Sequence, residues 1–188
     1  MRERLIKPSC IGCPHNYSHL DAIPQKKFGV MMHCGEHYCT DGKRARRFKR
    51  SDPKIHVPQW CPKRKNPCEL RIYALKSRHD RWMHNSLNCS LGKHFSVSAY
   101  RYALRYEGTI ELSPYEFLKQ GEQSPYDDLL PVAVELYEVL EIDDGLKPVF
   151  FYRDMTDFHL EPYFEAGRAR GNVMEEDKEP HVSERKEE

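Results

Sequence analysis

Long apolar segments are absent from this sequence of 188 residues, whose mean hydropathy is −0.81. A membrane-spanning helix needs about 18 or more consecutive apolar residues, so the sequence predicts no contact with a membrane. The first residues also lack the apolar stretch of a secretory signal, and we therefore expect a cytoplasmic protein. Apolar residues make up 39% of the chain, which is enough to bury the core of one ordinary domain or of two small ones.

The sequence also has none of the short motifs that mark common catalytic sites, such as His-Glu-x-x-His, Gly-x-Ser-x-Gly or a phosphate-cradling glycine loop. His79 and His84 fall on one predicted helix, but their spacing separates them by about 140° around its axis. Cys89 has the same spacing from His84 and no third group to orient it. We therefore expect no enzymatic activity. A metal-dependent enzyme acting on nucleic acid is kept as a third alternative.

Complete disulfide pairing is excluded, because the chain has seven cysteines. A cytoplasmic location would keep them reduced in any case. All but one of them fall between Cys10 and Cys68, in an irregular stretch that is rich in proline, histidine and basic residues. A stretch with so little apolar material needs a cross-link to hold a shape, and clustered thiols in a reducing compartment indicate a metal ion.

The spacing of these cysteines favours one structural zinc ion, Zn2+, held by four thiolates. Cys10 and Cys13 form a Cys-x-x-Cys pair, which lets one tight turn present two thiolates to a tetrahedral ion. Cys61 stands before a proline, as Cys13 does, and proline helps to fix the loop that aims the sulfur. Cys39 precedes a predicted basic helix, whose positive start favours a thiolate. We therefore predict Cys10, Cys13, Cys39 and Cys61 as the zinc ligands.

Other interpretations of the cysteines stay open. Cys34 is the first substitute for one of the later ligands, Cys68 is another, and both could join histidines around a second zinc ion. The cysteines could instead be buried free thiols, although such thiols are expected in apolar runs rather than in proline-rich basic loops. An iron–sulfur cluster is the other chemical interpretation, and the sequence lacks the tight cysteine runs that are typical of such clusters.

Charge is divided unevenly along the chain, although the net charge is only +1. Residues 1–106 hold 22 Lys and Arg against 7 Asp and Glu, or +15, whereas residues 107–188 hold 8 against 22, or −14. The halves are therefore expected to face different partners, or each other. Basic side chains interleaved with aromatic ones, here Phe48 and Trp60, suit phosphate groups and stacked bases. The predicted nucleic-acid-binding residues are Lys43, Arg44, Arg46, Arg47, Lys49, Arg50, Lys63, Arg64 and Lys65.

This charge pattern has two further interpretations. The basic residues could form a solvated surface, or they could balance the charge of the thiolates and of the acidic half. The acidic half could occupy a basic groove on a partner protein as a mimic of nucleic acid, or it could serve solubility alone.

The local patterns predict an α+β fold, in which a small zinc-stapled, irregular N-terminal module precedes a helix and a small antiparallel sheet with a short helix. The basic module spans residues 1–75 and the connecting segment spans residues 76–97, with its helix over about 77–91. The sheet domain spans residues 98–171, and residues 172–188 are expected to be a disordered acidic tail.

Several shorter elements are predicted inside these segments from capping, turn and alternation signals. A short basic helix is expected over residues 41–50. Ser113, followed by Pro114 and then Glu116, has the capping-box spacing that starts a helix. The expected strands are 28–32, 100–107, 132–142, 149–152 and 158–164, of which the last three form a meander with Asp144-Gly145 as its first turn.

Three stretches of the N-terminal part carry a resemblance to known proteins. They are Phe28-Gly-Val-Met-Met, Cys39-Thr-Asp-Gly-Lys-Arg-Ala-Arg-Arg-Phe-Lys-Arg-Ser-Asp-Pro-Lys and Trp60-Cys-Pro-Lys-Arg. They resemble a group of uncharacterised cysteine-containing proteins encoded by Firmicutes and their mobile genetic elements. The resemblance covers roughly the first 75 residues and the turn from Glu141 to Pro148. It implies no particular activity, and it points to work in conjugation, replication or evasion of host defence.

Taken together, the patterns lead to one preferred function and one alternative from a different class. The preferred function is a zinc-stabilised binding protein that contacts nucleic acid or a nucleoprotein through its basic N-terminal half. The alternative is a mobile-element-encoded inhibitor of a host defence nuclease, an anti-CRISPR-like protein that acts on a host protein by protein–protein contact or by mimicry of nucleic acid.

Overall fold

The computed structural model describes residues 5–6, 8–10, 12–20, 25–27, 29–32, 35–49, 57–58, 60–91 and 97–175. Its architecture mixes a few helices with several antiparallel sheets, which confirms the predicted fold class at this level. Within the described parts of the chain, no helix is both long enough and apolar enough to cross a membrane.

The N-terminal part is built from short strands. They are β1 (Asn16–Leu20), β2 (Gln25–Lys27), β3 (Val30–Met32), β4 (Gly35–Cys39) and β5 (Arg46–Arg47). Strands β1, β4 and β5 form an antiparallel sheet in that order, and β2 pairs with β3 in a separate hairpin. The strand predicted over residues 28–32 is thereby confirmed as β3 for its last three residues, and Phe28 lies outside the described residues.

The predicted basic helix over residues 41–50 is wrong. Residues 41–44 form bends, and β5 pairs with β4 so that Arg47 lies opposite Tyr38 and Arg46 opposite Cys39. A helix of about two turns is marginal by itself, and the crowded positive charges of this segment would repel one another along it. Pairing with β4 gives the backbone hydrogen bonds that an isolated helix could not maintain.

The rest of the chain surrounds one five-stranded sheet. Its elements are β6 (Cys68–Leu75), α1 (Arg78–Leu91), β7 (Tyr102–Ile110), α2 (Pro114–Gly121), β8 (Val139–Asp143), β9 (Pro148–Arg153), β10 (Phe158–Leu160) and α3 (Ala166–Arg170). The strand order is β10-β9-β8-β6-β7 and every pairing is antiparallel. The predicted meander is confirmed as β8-β9-β10, with Gly145 at a φ of 81° in its first turn.

Strand β6 was not predicted, and it assigns residues 68–75 to a different part of the fold from the one predicted. The sequence interpretation put these residues in the N-terminal module, whereas β6 lies inside the sheet between β7 and β8. Its side chains alternate between two apolar clusters. Leu70 and Ile72 face one cluster, where α2 contributes Phe117, and Tyr73 faces the other. A strand with buried residues on both faces takes its position from these two cores.

Helix α2 starts where its capping signal predicts. Ser113 accepts a hydrogen bond from the amide of Glu116, and the Glu116 side chain accepts one from the amide of Ser113, which completes the predicted capping box. Helix α1 begins after Ser77, whose hydroxyl accepts from the amide of Asp80 (3.0 Å). On this helix Trp82 is exposed, while His84 is buried.

Several boundaries differ from the prediction, among them the end of β10, which stops at Leu160 rather than at residue 164. Residues 99–101 form a single 3₁₀ turn, so β7 begins at Tyr102. Residues 132–138 precede the strand that starts at Val139, because Tyr137 takes a φ of 69° that no regular strand accommodates. In the segment predicted to be a disordered tail, the Asn172 amide donates to the carbonyl of Tyr102 (2.7 Å) and so ties down the start of that segment. Residues 176–188 lie outside the described residues.

Candidate metal centre and basic surface

The four cysteines predicted as zinc ligands line one cavity of about 180 Å³. Cys10 is buried, and Cys13, Cys39 and Cys61 are half-buried. They come from three places in the fold: the segment before β1, the end of β4, and the loop before β6. The substitute Cys34 lies outside the described residues.

Two similar turns position Cys13 and Cys61. The Asn16 amide donates to the carbonyl of Cys13 (3.0 Å), and the Arg64 amide donates to the carbonyl of Cys61 (3.1 Å). Each cysteine is followed by a proline, which favours the second position of such a turn because its φ is already restricted. The resemblance between the two local sequences therefore extends to their backbone conformation.

Cys39 reaches the cavity from the sheet rather than from a helix. In the β1-β4-β5 register, Asn16, Cys39 and Arg46 lie opposite one another, so their side chains share one face. The Asn16 side-chain amide also donates to the carbonyl of Cys10 (3.1 Å), which joins the first cysteine to this face. The reason for predicting Cys39, the positive start of a helix, was thus wrong, although its thiol does line the cavity.

Apolar side chains close the cavity on its other sides. Phe48 and Val57 are buried there, and Trp60 and Leu146 pack against them. Phe48 and Trp60 meet edge to face, with ring centroids 5.2 Å apart. The guanidinium of Arg46 lies 4.2 Å from the centroid of the Trp60 ring, a cation–π contact that places a positive charge beside the cysteines.

The thiols of the cavity influence one another electrostatically. Burial raises the pKa of Cys10, and the nearby Cys61, Cys13 and Cys39 raise it further, while Arg64 opposes these effects. Like charges raise a thiol pKa when the groups lie near one another, which agrees with the cavity that the four cysteines share. Within the described residues, no three His, Cys, Asp or Glu side chains already have a metal-binding arrangement. The zinc ligands therefore remain a prediction.

Cys68, the other cysteine weighed as a substitute ligand, lies in a different environment. It is buried in the sheet core beside Leu70, and its thiol donates to the carbonyl of Lys65 (3.7 Å). Burial, and next the charge of Asp144, raise the pKa of Cys68 to about 11. It does not line the cysteine cavity.

Four of the nine predicted nucleic-acid-binding residues are paired with carboxylates. Arg47 pairs with Glu36, Lys65 with Glu69, Lys63 with Asp41 (3.6 Å) and Arg64 with the buried Asp144 (3.1 Å). Lys49 is exposed, and Arg50 lies outside the described residues. In the part of the chain that the structure describes, Lys43, Arg44 and Arg46 carry no carboxylate partner. We call these three residues the open basic surface.

Aromatic side chains lie on the face of the β1-β4-β5 sheet opposite to Arg46, and they were not part of the sequence prediction. Tyr17, Tyr38 and Arg47 lie opposite one another on the face of the β1-β4-β5 sheet that points away from the cysteines. Tyr17 is 57% exposed, and the Tyr38 hydroxyl donates to Glu36. The sequence feature that could have identified Tyr17 is strand β1. Side chains alternate between the two faces of a strand, so recognising β1 would have placed Tyr17 on the outer face.

A buried charged cluster in the five-stranded sheet was also missed. Glu141 is fully buried and accepts hydrogen bonds from Arg71 (3.1 Å), Arg170 (2.6 Å) and the Tyr73 hydroxyl. His84 packs against the rings of Tyr137 and Tyr152 elsewhere on the same face, where burial lowers its pKa. These groups hold α1 and α3 on the sheet.

Comparisons with protein-family models, with curated proteins and with solved structures found no match for this chain.

Proposed function

We propose that this chain is a zinc-stabilised binding protein that contacts nucleic acid, or a nucleoprotein, through the open basic surface beside its cysteine cavity. The observation that carries the proposal is the convergence of Cys10, Cys13, Cys39 and Cys61 on one cavity whose edge bears Arg46. The same small part of the fold would thus hold the zinc ion and expose the basic side chains.

The kinds of residue that line the cavity suit a structural zinc ion. Four thiolates form a closed ligand set, which is typical of structural rather than catalytic zinc sites. A zinc ion with four thiolates carries a formal charge of about −2, and the adjacent Arg46 and Arg64 would offset it. The apolar cluster around the cavity is small, so a metal would supply stability that packing alone provides poorly.

The surface next to the cavity fits a phosphate backbone. Lys43, Arg44 and Arg46 lack carboxylate partners among the described residues, so phosphate contact would not require them to break an ion pair. Tyr17, which is exposed on the other face of the same small sheet, could stack against an unpaired base. The sequence alternative, an acidic inhibitor, would have to act without Glu138, Glu141 and Asp144, which are buried and therefore unavailable to a partner.

The metal part of the proposal is tested by elemental analysis of purified protein. We expect about one zinc ion per chain, lost in Cys10→Ser and in Cys61→Ser. Cys68→Ala is the matched control, because it removes a buried thiol outside the cavity and should keep the metal. Wild-type protein without zinc, or loss of zinc from the control alone, would contradict the assignment.

The binding part is tested by fluorescence anisotropy with labelled duplex and single-stranded oligonucleotides. Arg44→Glu/Arg46→Glu should weaken both complexes. The control Lys119→Glu/Arg168→Glu makes the same change in net charge at exposed positions far along the chain, and should have little effect. Equal losses in both double variants would show a nonspecific charge effect and overturn the assigned surface.

A further inference from the structure

Three large apolar side chains are exposed along one groove outside the cysteine module. Trp82 on α1 is 62% exposed and Met155 in the β9–β10 turn is 71% exposed, and Leu136 lies between β7 and β8 in the chain. All three line an open groove of about 880 Å³. Monomeric proteins rarely cluster exposed apolar residues in this way unless the surface binds something.

The same groove carries positive charge. Arg78 and Arg81, three residues apart on α1, line it beside Trp82, and both side chains are exposed. Neither arginine has an ion-pair partner among the described residues. Glu135 is the one carboxylate among the groove residues that the structure describes. The groove therefore complements a ligand that is both flat and apolar in one part and anionic in another.

The groove has a rigid floor. The Tyr137 amide donates to the carbonyl of Arg153 (2.8 Å), and its own carbonyl accepts from the Tyr102 hydroxyl (2.9 Å). These bonds hold Tyr137 at its φ of 69°, and its hydroxyl donates to Asn85 of α1 (2.9 Å). The His79 ring packs on the Trp82 ring with centroids 6.2 Å apart, which orients the indole. The binding surface is thus formed before a ligand arrives.

We infer that this groove is a base-stacking subsite for single-stranded nucleic acid. A nucleobase would stack on Trp82, and the phosphates on either side would contact Arg78 and Arg81. Aromatic stacking combined with arginine contacts is how proteins hold single strands without sequence readout. The open shape favours a continuous strand over a free nucleotide, which a closed pocket would surround. The inference rests on the proposed nucleic-acid function and adds a preference for unpaired bases.

The test compares three fluorescent ligands of equal length: an oligothymidylate strand, an abasic strand and a duplex. Trp82→Ala should weaken binding of oligothymidylate by at least about fivefold and leave binding of the other two unchanged, because only the first can stack an unpaired base. Tyr163→Ala, which removes an 87% exposed aromatic ring away from the groove, is the control. Circular dichroism confirms that each variant is folded.

The phosphate contacts are tested separately through salt. For the oligothymidylate strand, the logarithm of the binding constant should fall with the logarithm of the salt concentration. Arg78→Glu/Arg81→Glu should reduce the magnitude of this slope by about 1.4. The control Lys119→Glu/Arg168→Glu should leave the slope unchanged. An effect of Trp82→Ala that is equal for abasic and base-bearing strands would overturn base stacking. If the wild-type protein binds single strands and the Trp82→Ala variant binds them equally well, base stacking is also overturned. The groove would then be left to a protein partner.

The outcomes separate this inference from the proposed function. Trp82-dependent binding of single strands that survives Arg44→Glu/Arg46→Glu supports the groove and overturns the open basic surface. Duplex binding that depends on Arg44 and Arg46, with no binding of oligothymidylate, overturns the groove and supports the proposed surface. Absence of binding to all three ligands overturns both.

Discussion

Raising the salt concentration should weaken duplex binding by this protein with a modest, calculable slope. Each phosphate that a lysine or arginine neutralises releases condensed counterions, so the logarithm of the binding constant falls linearly with the logarithm of the salt concentration. The slope is about −0.9 for each contact on a duplex. The measured slope therefore gives the number of lysine and arginine side chains that contact phosphates.

The structure sets the expected number of contacts. Of the eight predicted nucleic-acid-binding residues that the structure describes, four already pair with carboxylates and three form the open basic surface. Three contacts give a slope of about −3, whereas contacts from all eight residues would give about −7. The difference is well outside the error of an anisotropy titration over a tenfold range of salt.

The assay is a series of anisotropy titrations of wild-type protein with one duplex. Arg44→Glu/Arg46→Glu should bring the slope from about −3 to about −1, because each lost phosphate contact reduces it by about 1. A wild-type slope near −7 would refute the reasoning, since the paired arginines and lysines would then leave their carboxylates for phosphates. A slope near zero would show that the protein does not contact phosphates and would contradict that part of the proposal.

Three further predictions concern stability, measured by urea unfolding. Glu141→Ala should lower the free energy of unfolding by about 3 kcal/mol, because it removes the buried acceptor shared by Arg71, Arg170 and the Tyr73 hydroxyl, and the exposed Glu107→Ala by about 1 kcal/mol or less. Burial lowers the pKa of His84, so as the pH falls the unfolded chain takes up a proton at this residue before the folded protein does. The free energy of unfolding should therefore decrease as the pH drops below 6.5. His84→Phe should remove the part of this decrease that His84 causes. Burial raises the pKa of Asp154, but hydrogen bonds from the backbone outweigh this effect and lower it to about 2. Asp154→Asn should therefore cost about 2 kcal/mol at neutral pH, and the difference should vanish as the pH falls from 3.8 towards 2.

Local signals were sufficient for several elements of the fold. The capping box at Ser113 and Glu116 needs only four neighbouring residues, and the Asp144-Gly145 turn needs only a residue that accepts a positive φ. Both were predicted correctly. Strand β6 was missed because its position depends on distant partners. Leu70 lies opposite Gly108 on one side and Ile142 on the other, and no pattern inside residues 68–75 encodes those pairings.

The candidate site shows the same division between local and distant information. The turn after Cys13 and the turn after Cys61 are local, and the prolines that follow these cysteines indicated them correctly. The number of available cations was overestimated from the sequence. Arg64 counts as basic surface in the sequence, yet its partner Asp144 lies 80 positions later and is buried. Such a pairing becomes visible only when the hairpin turn is placed beside the cysteine loop.

This contact between Arg64 and Asp144 links the cysteine cavity to the five-stranded sheet. The Lys65 amide donates to the carbonyl of Asp144 (2.7 Å), and Leu146, from the same turn, packs against the apolar cluster of the cavity. A Cβ atom on Gly145 would lie 2.9 Å from the carbonyl oxygen of Lys63, so the turn and the loop fit together only with glycine there. Because Arg64 closes the turn of Cys61, whatever holds Cys61 in place also holds Arg64 against the sheet. A metal ion in the cavity would therefore stabilise the docking of the two parts as well as the basic surface itself.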